Sequence, residues 1–306
     1  MKTSVDQALA EARRLAKAGA VAEAAARYRE ILAAFPGNKR ARAELEKLGP
    51  AATGSGQSRP AEPEIAALGT LYAQGRLQDV VQRGNALAAA YPDEIPLHHL
   101  MGAANAGLKR YDEALACFAR ALELAPGLAE THFNIGIVHK NRGAPEAAVA
   151  SYREAARLDP GRAEIHYNLG NALKTLGDNE GAIESYERAI SLNPRYARAL
   201  CNLGNAQRDC GRLDEAVASY GRAVDLAPGD GEIHLNLGNA LNDLRRFKEA
   251  AVYAEAAVRL LPDNRDARGL LGTVLMRLGR VEEGLREYER GYGVVSFEPG
   301  GGATIR

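Results

Sequence analysis

Residues 163–196 read AEIHYNLGNALKTLGDNEGAIESYERAISLNPRY, and this stretch decides the fold. Ala182, Tyr186 and Ala189 are spaced i, i+4, i+7, which is one face of a helix. Gly177 stands where the apolar period restarts, as expected for a glycine that ends a preceding helix. Pro194 closes the second helix, since proline cannot continue one. The stretch therefore predicts helix, tight turn, helix, turn. The small alanines admit a neighbouring helix closely, and the tyrosine ring fills the space between.

Moving outward, the same marks recur every 34 residues. Pro92, Pro126, Pro160, Pro194, Pro228 and Pro262 keep this interval without slip. Gly136, Gly170, Gly204 and Gly238 repeat in phase, as do Gly143, Gly177 and Gly211, with Arg245 in the fourth place. Ala148, Ala182, Ala216 and Ala250 follow, then Tyr152, Tyr186 and Tyr220, a series that Ala254 breaks. One helix pair cannot bury both of its apolar faces, but stacked pairs can. The expectation is all-α: an α-solenoid of antiparallel helix pairs.

The segment Ile165-His166-Tyr167-Asn168-Leu169-Gly170-Asn171-Ala172, followed by Ala182, Tyr186, Ala189 and Pro194, resembles the tetratricopeptide repeat. The resemblance implies a right-handed superhelix whose first helices line a concave groove. It also implies a binding role for protein partners, without catalysis. The array is similar to the superhelix of O-linked N-acetylglucosamine transferase and to those of bacterial tetratricopeptide-repeat proteins.

Composition sets bounds. The chain has 306 residues, of which 46% are hydrophobic and 25% charged, with formal net charge +0. A neutral balance argues against a general nucleic-acid binder, which needs a basic field. No run approaches the length of a membrane span, and the start Met1-Lys2-Thr3-Ser4-Val5-Asp6 lacks an apolar signal core. Cys117, Cys201 and Cys210 have no metal-like spacing and read as free thiols of a reducing, cytoplasmic setting.

Three segments are expected. Residues 1–48 form one repeat, marked by Gly19, Ala24, Tyr28 and Pro36, plus an extra helix. Residues 49–63 are rich in Gly, Ser, Pro and Ala and read as a flexible linker. Residues 64–306 form the main array of about seven repeats. Its first unit is degenerate, with Gly84 in the aromatic place. Its tail, 292–306, sets Val294-Val295-Ser296-Phe297 and Ala303-Thr304-Ile305 around a glycine-rich turn. That tail is either frayed or a small β-hairpin over the open end of the solenoid.

Candidate chemistry is sparse. His98, His132, His166 and His234 recur at one position, about 10 Å apart in neighbouring pairs. Ligands of one zinc lie ~2 Å from it, so the ladder reads as packing, with no metal and no cofactor. No nucleophile, base and orienter come together, and Gly300-Gly301-Gly302 lacks the context of a phosphate loop.

The stronger candidate is a ladder of asparagines. Asn134, Asn168, Asn202 and Asn236 recur at one position, with Asn171, Asn205 and Asn239 three residues later on the same face. Lys140, Lys174 and Arg208 follow one turn on, and Phe133 and Tyr167 lie beside them. An amide both donates and accepts, so a row of amides can pair with the backbone of an extended peptide. By the resemblance these side chains face the groove. The other reading is structural, since the family pattern itself favours asparagine at both places.

The family's clamp for a C-terminal carboxylate needs a lysine where Phe133, Tyr167, Cys201 or Leu235 stands, so chaperone-tail binding is not expected. The leading expectation is a non-enzymatic scaffold or adaptor for extended peptide segments. The alternative is a targeting subunit for a separate glycosyltransferase, sulfotransferase or oxygenase. Homo-oligomers through the solenoid ends are a further alternative.

Overall fold

The computed structural model describes residues 5–17, 20–35, 38–47, 62–293, 295–297 and 303–305. It divides into two compact units, Met1–Pro126 and Gly127–Arg306.

The first unit holds α1 (Val5–Lys17), α2 (Val21–Ala34) and α3 (Lys39–Lys47), then α4 (Glu62–Ala73), α5 (Leu77–Ala90), α6 (Ile95–Gly107) and α7 (Tyr111–Leu124). Leu9, Ala12, Tyr28, Ile31 and Ala41 make one core. Leu68, Leu71, Val80, Val81, Leu97, Met101 and Ala104 make another. Gly19, Pro36 and most of the expected linker lie outside the described residues. Glu62 and Pro63 already belong to α4, where proline is tolerated in the first helical turn.

The second unit holds α8 (Ala129–Arg142), α9 (Pro145–Leu158), α10 (Ala163–Thr175), α11 (Asn179–Leu192), α12 (Ala197–Asp209), α13 (Leu213–Leu226), α14 (Gly231–Asp243), α15 (Phe247–Leu260), α16 (Arg265–Arg277) and α17 (Val281–Tyr292). Within each pair the helices pack as an antiparallel α-solenoid, and each second helix packs on the next first helix. At the tail, β1 (Val295–Phe297) pairs antiparallel with β2 (Ala303–Ile305), with Ser296 opposite Thr304. This is the hairpin arrangement.

Two devices recur among the pairs from α4 onward. The first is the turn. Gly75, Lys109, Gly143, Gly177, Gly211, Arg245 and Gly279 all have left-handed φ, from 58° to 83°. They stand 34 residues apart, so the backbone keeps the period even where glycine is replaced. The second is a glycine–ring interlock. A Cβ on Gly136, Gly170 or Gly204 would lie 2.5–2.6 Å from the ring of Tyr152, Tyr186 or Tyr220. All three rings are fully buried.

Two pairs depart from the interlock. In α4–α5, Leu68 takes the glycine's place in the core, and Gly84 takes the ring's and admits Met101. In α14–α15, Ala254 replaces the ring, and Leu270 of α16 reaches across to within 2.8 Å of where a Gly238 Cβ would be.

Candidate functional site

The curvature of the second unit follows from its packing. First helices touch one another directly, α10 with α12, α12 with α14 and α14 with α16, while second helices make no comparable contact. Elements packed more tightly on one side curve toward it. The first-helix face is therefore the inner face, and the asparagine rows lie on it.

Two members of the histidine ladder hold turns, while His234 places Nδ1 at 3.0 Å from the carbonyl oxygen of Asp230, the residue that caps its own helix. His98 and His166 place Nε2 at 2.8 Å and 3.1 Å from the carbonyl oxygens of Pro92 and Pro160. Arg268, at the same repeat position, donates from Nε to the Pro262 carbonyl at 2.9 Å. Each ties the closing turn of one pair to the first helix of the next.

The aromatic row is largely turned inward. Phe133 is only 3% exposed, and the Arg162 guanidinium sits 4.5 Å above its ring. Arg162 in turn pairs with Glu130 and Glu164. Tyr167 is half-buried, with the Tyr196 ring 4.8 Å away. Cys201 is half-buried and Leu235 buried. Burial pushes the Cys201 thiol up, with the Asn236 amide working in the opposite direction.

The asparagines split into two rows with different duties. In the first row, each Nδ2 group donates at least one hydrogen bond inside the chain. Asn134 donates to the Glu130 carboxylate at 3.4 Å, and Asn168 to the Glu164 carbonyl at 2.9 Å. Asn202 bridges to the preceding pair, donating to Asn171 Oδ1 at 2.9 Å and to Tyr167 Oη at 3.3 Å. Asn236 donates to Cys201 Sγ at 3.7 Å.

In the second row, the oxygen is spent instead. The Tyr186 hydroxyl donates to Asn171 Oδ1 at 2.8 Å, and Tyr220 to Asn205 Oδ1 at 2.7 Å. Burial pushes both phenols above the usual tyrosine range. Where the row lacks asparagine, the hydroxyl changes partner or loses it. Tyr288 meets Thr273 at 2.6 Å, while the buried Tyr152 hydroxyl, in the pair that carries Ile137 at the asparagine position, has none. Where the tyrosine is missing, at Ala254, the amide of Asn239 has no hydrogen-bond partner among the described residues.

The basic row also divides. Lys174 pairs with Asp209 of the next pair. Lys140 is exposed. Arg208 has no carboxylate partner among the described residues and instead lines a cavity of about 490 Å³. Leu235, Asn236, Asn239, Asn242, Leu270 and Tyr292 line it too, with Glu232, Asp266, Thr273 and Tyr288 completing the wall. Its volume is in the usual range for binding sites.

Sequence reasoning found the two asparagine rows but not this cavity. The visible signal was Ala254 in the tyrosine series. Its meaning depends on the Asn–Tyr pairing, which only the three-dimensional packing displays. Tyr292 was not legible either. It fits because Gly269 has no side chain: a Cβ there would lie 2.7 Å from the Tyr292 hydroxyl.

Among the described residues no helix is long and apolar enough to cross a membrane. Family models of the tetratricopeptide repeat match residues 167–231 and 235–293 and residues 96–128, and a model of the TPR repeat matches residues 141–177. No curated protein matches the sequence. Among solved structures the chain is similar to MamA, at 27% identity and TM-score 0.51, over 53% of this chain and 95% of that one. It is also similar to YrrB, described as a TPR protein with an unusual peptide-binding site. That match has 21% identity and TM-score 0.54, over 60% of this chain and 95% of that one. A third is PilF of Pseudomonas aeruginosa, at 19% identity and TM-score 0.55, over 63% and 88%. With the period, the helix pairs and the repeat models in agreement, the chain belongs to the tetratricopeptide-repeat family.

Proposed function

We propose that the inner face of the second unit binds an extended segment of a partner protein, acting as a scaffold rather than as a catalyst. The observation that carries this is the leftover hydrogen-bonding capacity of the two asparagine rows. Asn202 has used both N–H groups of its amide and Asn168 one of two, and each keeps its oxygen to offer. Asn171 has filled both lone pairs of its oxygen and Asn205 one of two, and each keeps its nitrogen. Each of these first helices therefore presents one acceptor and, three residues on along the same face, one donor. That is the complement of a peptide unit, which carries one N–H and one C=O. Successive helices lie about 10 Å apart, close to three residues of extended chain at ~3.3 Å each. A bound segment would meet one such amide pair at every third residue or so.

The reading explains why backbone, rather than side chains, would dominate affinity along most of the groove. The aromatic row is engaged internally, and Lys174 is already neutralised. YrrB, which shares the fold, indicates that the fold can hold a peptide site; what it binds is its own.

The test uses the full chain as bait. Partners are captured and identified by mass spectrometry, and overlapping synthetic peptides covering each are measured by calorimetry. We expect a short segment to bind unaided, and the triple variant N168A/N236A/N239A to weaken it about tenfold, or ~1.4 kcal/mol. Binding that needs the partner's folded domain, or equal affinity for the triple variant with unchanged helicity, would overturn the reading.

A further inference from the structure

We propose that the cavity between α12, α14, α16 and α17 recognises an acidic side chain of the bound segment, with Arg208 as its counter-charge. The inference rests on the peptide reading above and adds the chemistry of what one subsite selects.

The cavity exists because one repeat breaks the interlock. In the two preceding pairs, a tyrosine hydroxyl occupies the asparagine oxygen from below. At Ala254 that ring is absent, and Leu270 fills part of its place beside Gly238. Leu270 also stands where the preceding pairs carry the first-row asparagine, so its retreat opens the inner face. Asn239 is left with both ends of its amide unused, in the cavity wall.

Arg208 is the second departure. Its counterpart Lys174 is neutralised by Asp209. The residue at the corresponding place after Arg208 is Asp243. Asp243 makes no ion pair with Arg208 and is not part of the cavity lining. Arg208 instead lines the cavity with Asn239 and Asn242, neither of whose side-chain amides has a hydrogen-bond partner among the described residues. A guanidinium and two amides offer nitrogen donors to one volume. A carboxylate is acceptor-only and is bound bidentately by arginine.

The remaining walls narrow the choice. Leu235 and Leu270 are apolar, and the rings of Tyr288 and Tyr292 stack 5.8 Å apart. The leucines are buried beneath the wall, and the half-buried tyrosine rings are what an aliphatic or aromatic neighbour of the acid would touch. Glu232 and Asp266 also line it, from the first turns of α14 and α16, whereas Arg208 comes from the last turn of α12; Glu232 already accepts from Asn264 at 3.3 Å. A second acid there would be repelled, so the subsite takes one carboxylate in one orientation. Thr273 and Tyr288 of α16 and α17 close the wall of the cavity. The carboxylate is assigned to a side chain of the segment, and the experiment below separates this from a chain end.

The experiment selects random peptides fused through their C-termini to a phage coat protein, so that none ends in a free carboxylate. Selection is run on the full chain and on R208A and R208E. We expect Asp or Glu beside an apolar residue to be enriched on the parent chain, to lose enrichment on R208A, and to give way to Lys or Arg on R208E. For one selected peptide, synthesised with an amidated C-terminus, R208A should weaken binding about tenfold and R208K by less, since lysine cannot form the bidentate pair. Parent-selected peptides without acidic enrichment, or with enrichment unchanged on R208A, would sink this inference and leave the peptide reading standing. No selected binder on any of the three chains would sink both. A requirement for a free C-terminal carboxylate would overturn the side-chain assignment.

Discussion

At the residue scale, the same tyrosine does different work in different repeats. Tyr152, Tyr186 and Tyr220 are equally buried and occupy one repeat position. Tyr220 has Asn205 as its acceptor and Tyr186 has Asn171. Tyr152 has none, because Ile137 stands where the asparagine would be. Removing one partner of a hydrogen bond typically costs about 1 kcal/mol, while an unsatisfied buried hydroxyl is itself a penalty of ~1–3 kcal/mol. Y220F should therefore lose about 1 kcal/mol, whereas Y152F should be neutral or gain up to ~1 kcal/mol. Equilibrium urea denaturation of the two variants checks this, and equal losses would show that the Asn–Tyr bond contributes nothing.

At the scale of the element, the turn between paired helices is held by backbone geometry more than by residue type. The left-handed position is glycine at 75, 143, 177, 211 and 279, yet Lys109 and Arg245 adopt it with φ of 59° and 58°. For an L-residue this conformation costs ~1–2 kcal/mol, which glycine avoids while giving back ~0.4–1 kcal/mol through the freedom of its unfolded chain. R245G should raise stability by up to about 1 kcal/mol, read as a higher urea midpoint at constant m-value. A lower midpoint would mean that the arginine side chain contributes more than its backbone costs.

These elements also mark how far sequence reading reaches. Gly177 and Tyr186 were legible because each acts within its own pair, where spacing along the chain is spacing along a helix. The turn at Arg245 was legible from phase alone. Phe133 reads as a groove residue by position, but Arg162, from the start of the next pair, covers it. The cavity was hidden for the same reason. It is made by residues of three first helices and of α17, and by a ring that is missing.

At the scale of the whole molecule, each pair contacts mainly its neighbours, so stability is close to a sum of pair and interface contributions. A perturbation that strikes one position in many pairs then acts on the array together. Alkaline pH is such a perturbation. Burial raises the phenol pKa of Tyr28, Tyr152, Tyr186 and Tyr220 in the folded chain above the value of about 10 that unfolded tyrosine has. A raised pKa means that the folded state keeps its proton where the unfolded state would lose it. The contribution to stability is full below pH ~10 and is lost as pH rises beyond that. Stability should therefore fall steeply above pH ~10, with tyrosinate absorbance and loss of helical circular dichroism rising together. The triple variant Y152F/Y186F/Y220F starts less stable at neutral pH, because Asn205 loses its donor and Asn171 loses one of two. It should nonetheless show a shallower alkaline decline, since three of the linked protons are gone. An equally steep decline in that variant would place the alkaline sensitivity elsewhere, in the Lys174–Asp209 pair, the thiols or Tyr28.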